Sequence, residues 1–249
     1  MPLKKMISPL VPQRVKDVRR AVALMKLTDS ICERECPACG FVGNFLAFGH
    51  PPRIDALCPA CNSLERHRLL LLALSRGEIG FSAPESELSM LHFAPEGVLK
   101  ERFQATFGTY VTADLFRDDV DKRLNMEEIE EPDGSYDVVV ASHILEHVDD
   151  FKASCEIRRI LRAGGLLIAM VPMIEGWDTT YENEGVRTDE DRLKHFGQED
   201  HVRYYGADFP ERIERSGLTC EKQIAADGED CLRYSLIRGE KIFLFRKAN

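Results

Sequence analysis

Residues 136–172 read Y-D-V-V-V-A-S-H-I-L-E-H-V-D-D-F-K-A-S-C-E-I-R-R-I-L-R-A-G-G-L-L-I-A-M-V-P. Val138, Val139, Val140 and Ala141 form an unbroken apolar run, the pattern of a strand covered on both faces in a parallel sheet. Ala153, Ile157, Ile160 and Leu161 then recur at helical spacing, which predicts a helix over 151–161. Gly164-Gly165 turns the chain into a second buried run, 166–171, stopped by Pro172. Strand, helix and strand in this order make a parallel unit with a helical crossover.

Working outward, the same alternation continues. Residues 89–94 predict a strand, 98–107 a helix, and 110–113 a strand ending in Asp114. Downstream, 208–216 predicts a helix stopped by Gly217, and 242–245 a last strand. Between Pro172 and Gly206 no apolar period is visible, so a long binding loop or lid is expected there. The expected fold class is α/β: a Rossmann-like, doubly wound, mostly parallel sheet over 88–249, with a small N-terminal zinc-ribbon subdomain.

That subdomain is expected over 31–80. C-P-A-C-G and C-P-A-C-N place Cys36 with Cys39 and Cys58 with Cys61, with eighteen residues between the pairs. Two such turns present four thiolates to one point, the ligand set and spacing of tetrahedral zinc. Four cysteines fill the coordination sphere, so the metal is expected to hold structure rather than perform chemistry. Cys32 lies near enough to complicate the ligand count. A leucine-rich helix should follow over 63–76, opening with the string E-R-H-R, in which His67 is expected to pack the ribbon on the main domain. Residues 80–87 read as a linker.

Residues 1–30 carry seven Lys and Arg against two Asp, a net of +5, with Val15, Val18, Val22 and Met25 at helical spacing. A basic amphipathic helix or tail is expected there. The whole chain has a net charge of −9 and a pI near 5.4, which disfavours nucleic acid as the main partner. No signal sequence or span-length apolar run is visible, so a cytoplasmic protein without membrane contact is expected.

In an open parallel sheet, ligands sit beyond the carboxyl ends of the central strands. Those positions here are Ala94, Pro95, Glu96 and Gly97 after the first strand, Asp114 after the second, and Ser142 to Glu146 after the strand over 138–141. In residue content and order, these segments resemble class I S-adenosylmethionine-dependent methyltransferases. The carriers are M-L-H-F-A-P-E-G at 90–97, Y-V-T-A-D at 110–114, L-N-M-E-E-I at 124–129 and the quoted stretch from 136 to 172. The chain looks like a type 11-like subgroup with a His-x-Ala-Pro-Glu turn behind a four-cysteine motif and an E-R-H-R helix.

The resemblance implies a binding role for the first turn (Phe93, Ala94, Glu96). It also implies ribose contact by Asp114, adenine contact around Asn125 and Met126, and Ser142 with His143 beside the transferable methyl. Ala-Pro-Glu departs from the usual glycine-rich turn. S-adenosylmethionine has no phosphate to cradle, and Glu96 could accept from its ammonium. The H-x-x-E-H string at His143, Glu146 and His147 resembles a metalloprotease motif, but its place after a buried strand argues against that reading. His143 and His201 are candidate catalytic bases, and His201 with Arg203 candidate acceptor contacts.

These features point to a methyltransferase with an unidentified acceptor, a small molecule or saccharide. The contrasting reading is a non-catalytic zinc-ribbon adaptor, or an RNA- or protein-binding chain with a degenerate methyltransferase domain. A nicotinamide-dependent dehydrogenase is disfavoured because no G-x-G-x-x-G follows the first strand.

Overall fold

The computed structural model describes residues 18–19, 32–49 and 52–249. Apart from residues 18 and 19, the expected N-terminal basic segment lies outside the described residues.

One seven-stranded sheet organises the chain. Its strands are β1 (Ser89–Phe93), β2 (Thr109–Asp114), β3 (Lys122–Arg123), β4 (Tyr136–Ser142), β5 (Leu161–Met170), β6 (Leu218–Ala225) and β7 (Lys241–Lys247). Their spatial order is β6-β7-β5-β4-β1-β2-β3. All neighbours pair in parallel except β7, which runs antiparallel to both β5 and β6. The winding direction reverses between β1 and β4, so a crevice opens beyond their carboxyl ends.

Alternation along the strands makes two cores, one per face. Leu91, Phe93, Val139, Ala141, Leu167 and Phe243 face one side, where Ala153, Ile157 and Ile160 of helix α3 (Asp150–Ile160) and Phe209 of helix α5 (Phe209–Glu214) cover them. Met90, Val138, Val140, Ile168 and Leu244 face the other. There they meet Leu99 and Phe103 of helix α2 (Gly97–Thr106) and Leu69 to Ala73 of helix α1 (Glu65–Ser75). The helix of the cysteine-containing segment is therefore part of the second core.

Several elements differ from the sequence reading. β5 starts at Leu161 rather than after the glycines: Tyr136 pairs with Leu161 but Val138 with Leu166, and Gly164 takes φ +70° where the register breaks. The polar stretch after Pro172 is not one loop. Tyr181–Glu182 pairs antiparallel with Arg203–Tyr204, and helix α4 (Asp189–Phe196) lies between them. Thr188 caps that helix by accepting from Asp191 N–H, and Gly197 ends it at φ +78°. A last short helix, α6 (Gly228–Arg233), precedes β7.

Candidate functional site

The four cysteines converge. Arg34–Glu35 pairs with Val42–Gly43, and Leu46–Phe48 with Arg53–Leu57, giving two short hairpins. Each Cys-Pro-Ala-Cys turn closes on a backbone hydrogen bond: Gly40 N–H donates to Cys36 O at 2.8 Å, and Asn62 N–H to Cys58 O at 2.9 Å. Both donors are left-handed, Gly40 at φ +74° and Asn62 at φ +59°, the residue types that tolerate this best. The Sγ atoms of Cys36 and Cys61 lie 3.6 Å apart, and those of Cys39 and Cys58 lie 3.8 Å apart. A tetrahedron with Zn–S bonds of about 2.3 Å has S···S edges of about 3.8 Å, so the donor set fits zinc in chemistry and size. Cys32 is exposed and is not among the residues that come together.

Each residue of the E-R-H-R string has a distinct partner. Glu65 receives Arg53 in a two-pronged pair, Nε to Oε1 at 2.8 Å and a second nitrogen to Oε2 at 3.1 Å. Arg66 Nε donates to Glu96 Oε1 at 2.8 Å. His67 Nδ1 accepts from Leu64 N–H at 3.1 Å, so the ring proton sits on Nε2, which lies 2.7 Å from the same Glu96 oxygen. Arg68 is fully buried and donates to the carbonyls of Ala56, Ser63, Tyr234 and Ser235 at 2.6 to 3.0 Å. Its guanidinium lies over the Phe45 ring at 4.8 Å.

The helix thus reaches the turn after β1. Ala94 N–H continues the ladder to Ala113 O at 2.8 Å, then the backbone turns at φ +48°. His143 does the same after β4: its N–H reaches Met170 O at 2.8 Å, and its φ is +53°. Left-handed non-glycine residues at two adjacent strand ends concentrate backbone strain where the crevice opens. Glu96 precedes α2 as its N-cap residue, and its Oε2 accepts from Ser142 Oγ at 3.4 Å. Burial alone would push the Glu96 carboxyl up. The His67 contact and the Arg66 charge outweigh it and hold the group at about 2.

Asp114 ends β2. Its Oδ1 accepts from Phe116 N–H at 2.8 Å and Arg117 N–H at 3.1 Å, which shapes the following loop. Arg117 in turn donates to Pro95 O at 2.8 Å, fixing that loop to the first turn. Asn125 is exposed and caps its own turn by accepting from Glu127 N–H at 3.0 Å. Phe93 and Met126 have buried side chains that belong to the core.

Beside His143 a cavity of about 340 Å³ opens between α1 and the ends of β4, β5 and β7. Arg53, Glu65 and Arg66 line one wall, and Val171, Met173, Glu240 and Lys241 the other. His143 lies between two carboxylates, with Nδ1 3.7 Å from Glu146 Oε1 and Nε2 3.5 Å from Glu240 Oε1. His201 does not line this cavity. It packs edge-on against His147, with ring centroids 4.6 Å apart, and burial followed by the neighbouring His147 lowers it to about 4. Arg203 donates to the carbonyls of Leu145 and Val148 at 2.9 and 2.6 Å and to Glu182 at 3.0 Å, so it stabilises the turn after β4. The cavity contributions of Arg53, Glu65, Glu240 and Lys241 have no local signal in the sequence.

A family model described as a methyltransferase domain matches residues 108–169. Among solved structures, the chain is similar to an S-adenosylmethionine-dependent methyltransferase from Mesorhizobium loti. The two share 14% identity over 72% of this chain and 98% of that one, with a TM-score of 0.53. It is also similar to the 1,6-didemethyltoxoflavin-N1-methyltransferase of Burkholderia thailandensis, solved with 1,6-didemethyltoxoflavin and S-adenosylhomocysteine. That match has 14% identity over 74% of this chain and 78% of that one, with a TM-score of 0.50. No curated protein sequence matches the chain. Among the described residues, no helix is long and apolar enough to cross a membrane.

Proposed function

We propose that the chain transfers a methyl group from S-adenosylmethionine to a small polar acceptor, a small molecule or saccharide; the methyltransferase-domain match over residues 108–169 and the shared Rossmann-like fold support this reading. The observation that carries the acceptor reading is the cavity beside His143, large enough for a small ligand and edged by both charge signs. The net charge of −9 argues against a polyanionic acceptor.

The crevice residues suit the cofactor. Asp114 keeps Oδ2 for the ribose hydroxyls while Oδ1 holds the loop amides. Glu96 keeps Oε2, beside Ser142, for the ammonium, since Oε1 already receives Arg66 and His67. Asn125 would flank the adenine from the exposed side. Phe93 and Met126 would support the floor, with Ala94 allowing close backbone approach. The bound cofactor supplies an electrophilic methyl on an already activated leaving group. The protein's work is then alignment and exclusion of water. Where the acceptor must lose a proton, His143 is the base within reach of the cavity, steadied by Glu146 and Glu240. His201 lies behind His147, and we assign it no contact with the acceptor.

The four-cysteine cluster would hold one zinc ion as a structural centre, through Cys36, Cys39, Cys58 and Cys61. Free thiolates for that purpose suit a reducing compartment, consistent with a cytoplasmic protein.

Thermal shift with S-adenosylmethionine, S-adenosylhomocysteine and NAD tests the cofactor assignment. Stabilisation by the first two alone is expected, and no response to either would overturn it. A turnover panel of small polar acceptors with radiolabelled methyl donor then tests the transfer. Cofactor binding without turnover of any acceptor would favour the adaptor reading.

A further inference from the structure

A second group of metal-ligand side chains lies away from the cysteines. Glu146, His147 and His201 each offer one ligand atom, and these atoms all lie within 4.8 Å of one another. Glu146 is 1% exposed and His201 3%. Glu146 Oε2 and His201 Nδ1 are buried and have no hydrogen-bond partner among the described residues. Buried polar atoms are normally satisfied, so two in one small cluster indicate a missing partner.

The surroundings are arranged for a cation. His147 Nδ1 lies 3.2 Å from Asp200 Oδ2 and 3.3 Å from Asp200 O. That contact places the ring proton on Nδ1 and leaves the Nε2 lone pair free, 4.0 Å from Glu146 Oε1. A carboxylate behind the distal nitrogen is the usual support of a metal-bound histidine. The backbone locks the two contributing segments together: Val202 N–H donates to Glu146 O at 3.0 Å, and Arg203 bridges to the Leu145 and Val148 carbonyls.

We propose that Glu146, His147 and His201 bind a divalent transition-metal ion, in a centre separate from the cysteine cluster. Two imidazoles and one carboxylate suit zinc, manganese, iron or cobalt rather than calcium or magnesium. Three protein ligands leave coordination positions open, unlike the filled four-cysteine set. His143, which borders the cavity, has its Nδ1 3.7 Å from Glu146 Oε1. This assignment does not depend on the methyl-transfer reading, because its readout is metal binding alone.

The test uses the full chain carrying one equivalent of zinc, which the four-thiolate set takes up first, with excess metal removed. Cobalt(II) is titrated into wild type, Glu146→Gln and His147→Gln, followed by calorimetry and visible absorption. Cobalt on nitrogen and oxygen ligands gives weak visible bands, whereas cobalt on thiolates adds intense near-ultraviolet charge transfer, so the two centres are separable. Wild type is expected to take up one equivalent with weak bands only, and Glu146→Gln to lose about 100-fold in affinity. Zinc content and the far-ultraviolet circular dichroism should stay unchanged. Where Glu146→Gln fails to fold, the more exposed His147→Gln carries the decision with the same expected loss. Absence of a nitrogen- and oxygen-bound equivalent in wild type, or equal affinity in the folded variants, overturns the proposal. The cofactor thermal shift is unaffected either way, so this failure is distinct from failure of the methyltransferase reading.

Discussion

Arg66 Nε lies 2.8 Å from Glu96 Oε1, thirty residues along the chain and on a different element. The pair links the helix that follows the cysteine turns to the turn where the first strand ends. Two sequence features that look independent, E-R-H-R and Ala-Pro-Glu, are thus the two halves of one contact. Both side chains are mostly buried, at 23% and 18% exposed, so the interaction is less screened than a surface pair.

Arg66→Ala should therefore act on the cofactor crevice. With its countercharge gone, Glu96 is held only by His67 and Ser142. Calorimetry should show cofactor affinity reduced roughly tenfold, and a double-mutant cycle with Glu96→Gln should give a coupling of about 1–3 kcal/mol. Additive effects would mean the pair does not position the turn.

Asp114→Ala should weaken S-adenosylmethionine binding by roughly 1–3 kcal/mol through loss of charge-assisted hydrogen bonds. The alanine also releases the Phe116 and Arg117 amides. Asp114→Asn, which keeps an acceptor for those amides, should fall between wild type and alanine. Unchanged affinity in both variants refutes the ribose assignment.

Cys36→Ser should abolish zinc retention and lower the melting temperature, because three thiolates and a hydroxyl make a poor structural site. Elemental analysis of the purified variant is the measurement. One zinc per chain in the variant would contradict the ligand assignment.

Stability should decline as the medium is acidified. His92 is fully buried, donates to or accepts from Tyr110 at 2.8 Å, and is lowered by burial to about 4 from an ordinary value of 6.5. In the unfolded chain the ring takes up a proton near 6.5, whereas in the folded chain it resists until about 4. The unfolded state binds more protons in that window, so stability is full above it and is lost as pH falls, by about 3 kcal/mol at most. Urea unfolding at pH 7 and pH 5 should show the loss, and His92→Phe should flatten it. Equal slopes in both proteins would remove His92 from the account.

Most of the sheet was legible because buried parallel strands are apolar runs bounded by glycine or proline, as with Val138 to Ala141 and the run before Pro172. β6 was not, because Glu221, Lys222 and Gln223 interrupt it; as an edge strand paired only with β7 it leaves those side chains in solvent. α4 escaped because its sequence, D-E-D-R-L-K-H-F, is almost wholly polar, although Thr188 before it and Gly197 after it are ordinary cap signals. In the site, local spacing predicted the cysteine cluster, and the strand pattern placed Ala94, Asp114 and His143 at the strand ends where the structure has them. The pairing of His143 with Glu240, and of Glu96 with His67, joins distant segments, and no local pattern encodes it.

Arg68 holds the carbonyls of Tyr234 and Ser235, more than 160 residues away, while also holding those of Ala56 and Ser63. The cysteine-bearing segment is consequently not a cassette that could be excised or grafted onto another scaffold: cut out, it would carry a naked guanidinium with half its acceptors gone. Conversely, a chain trimmed before residue 234 would leave the cysteine-bearing segment without this clasp, so Arg68 finds its full set of acceptors only after residues 234 and 235 have been made.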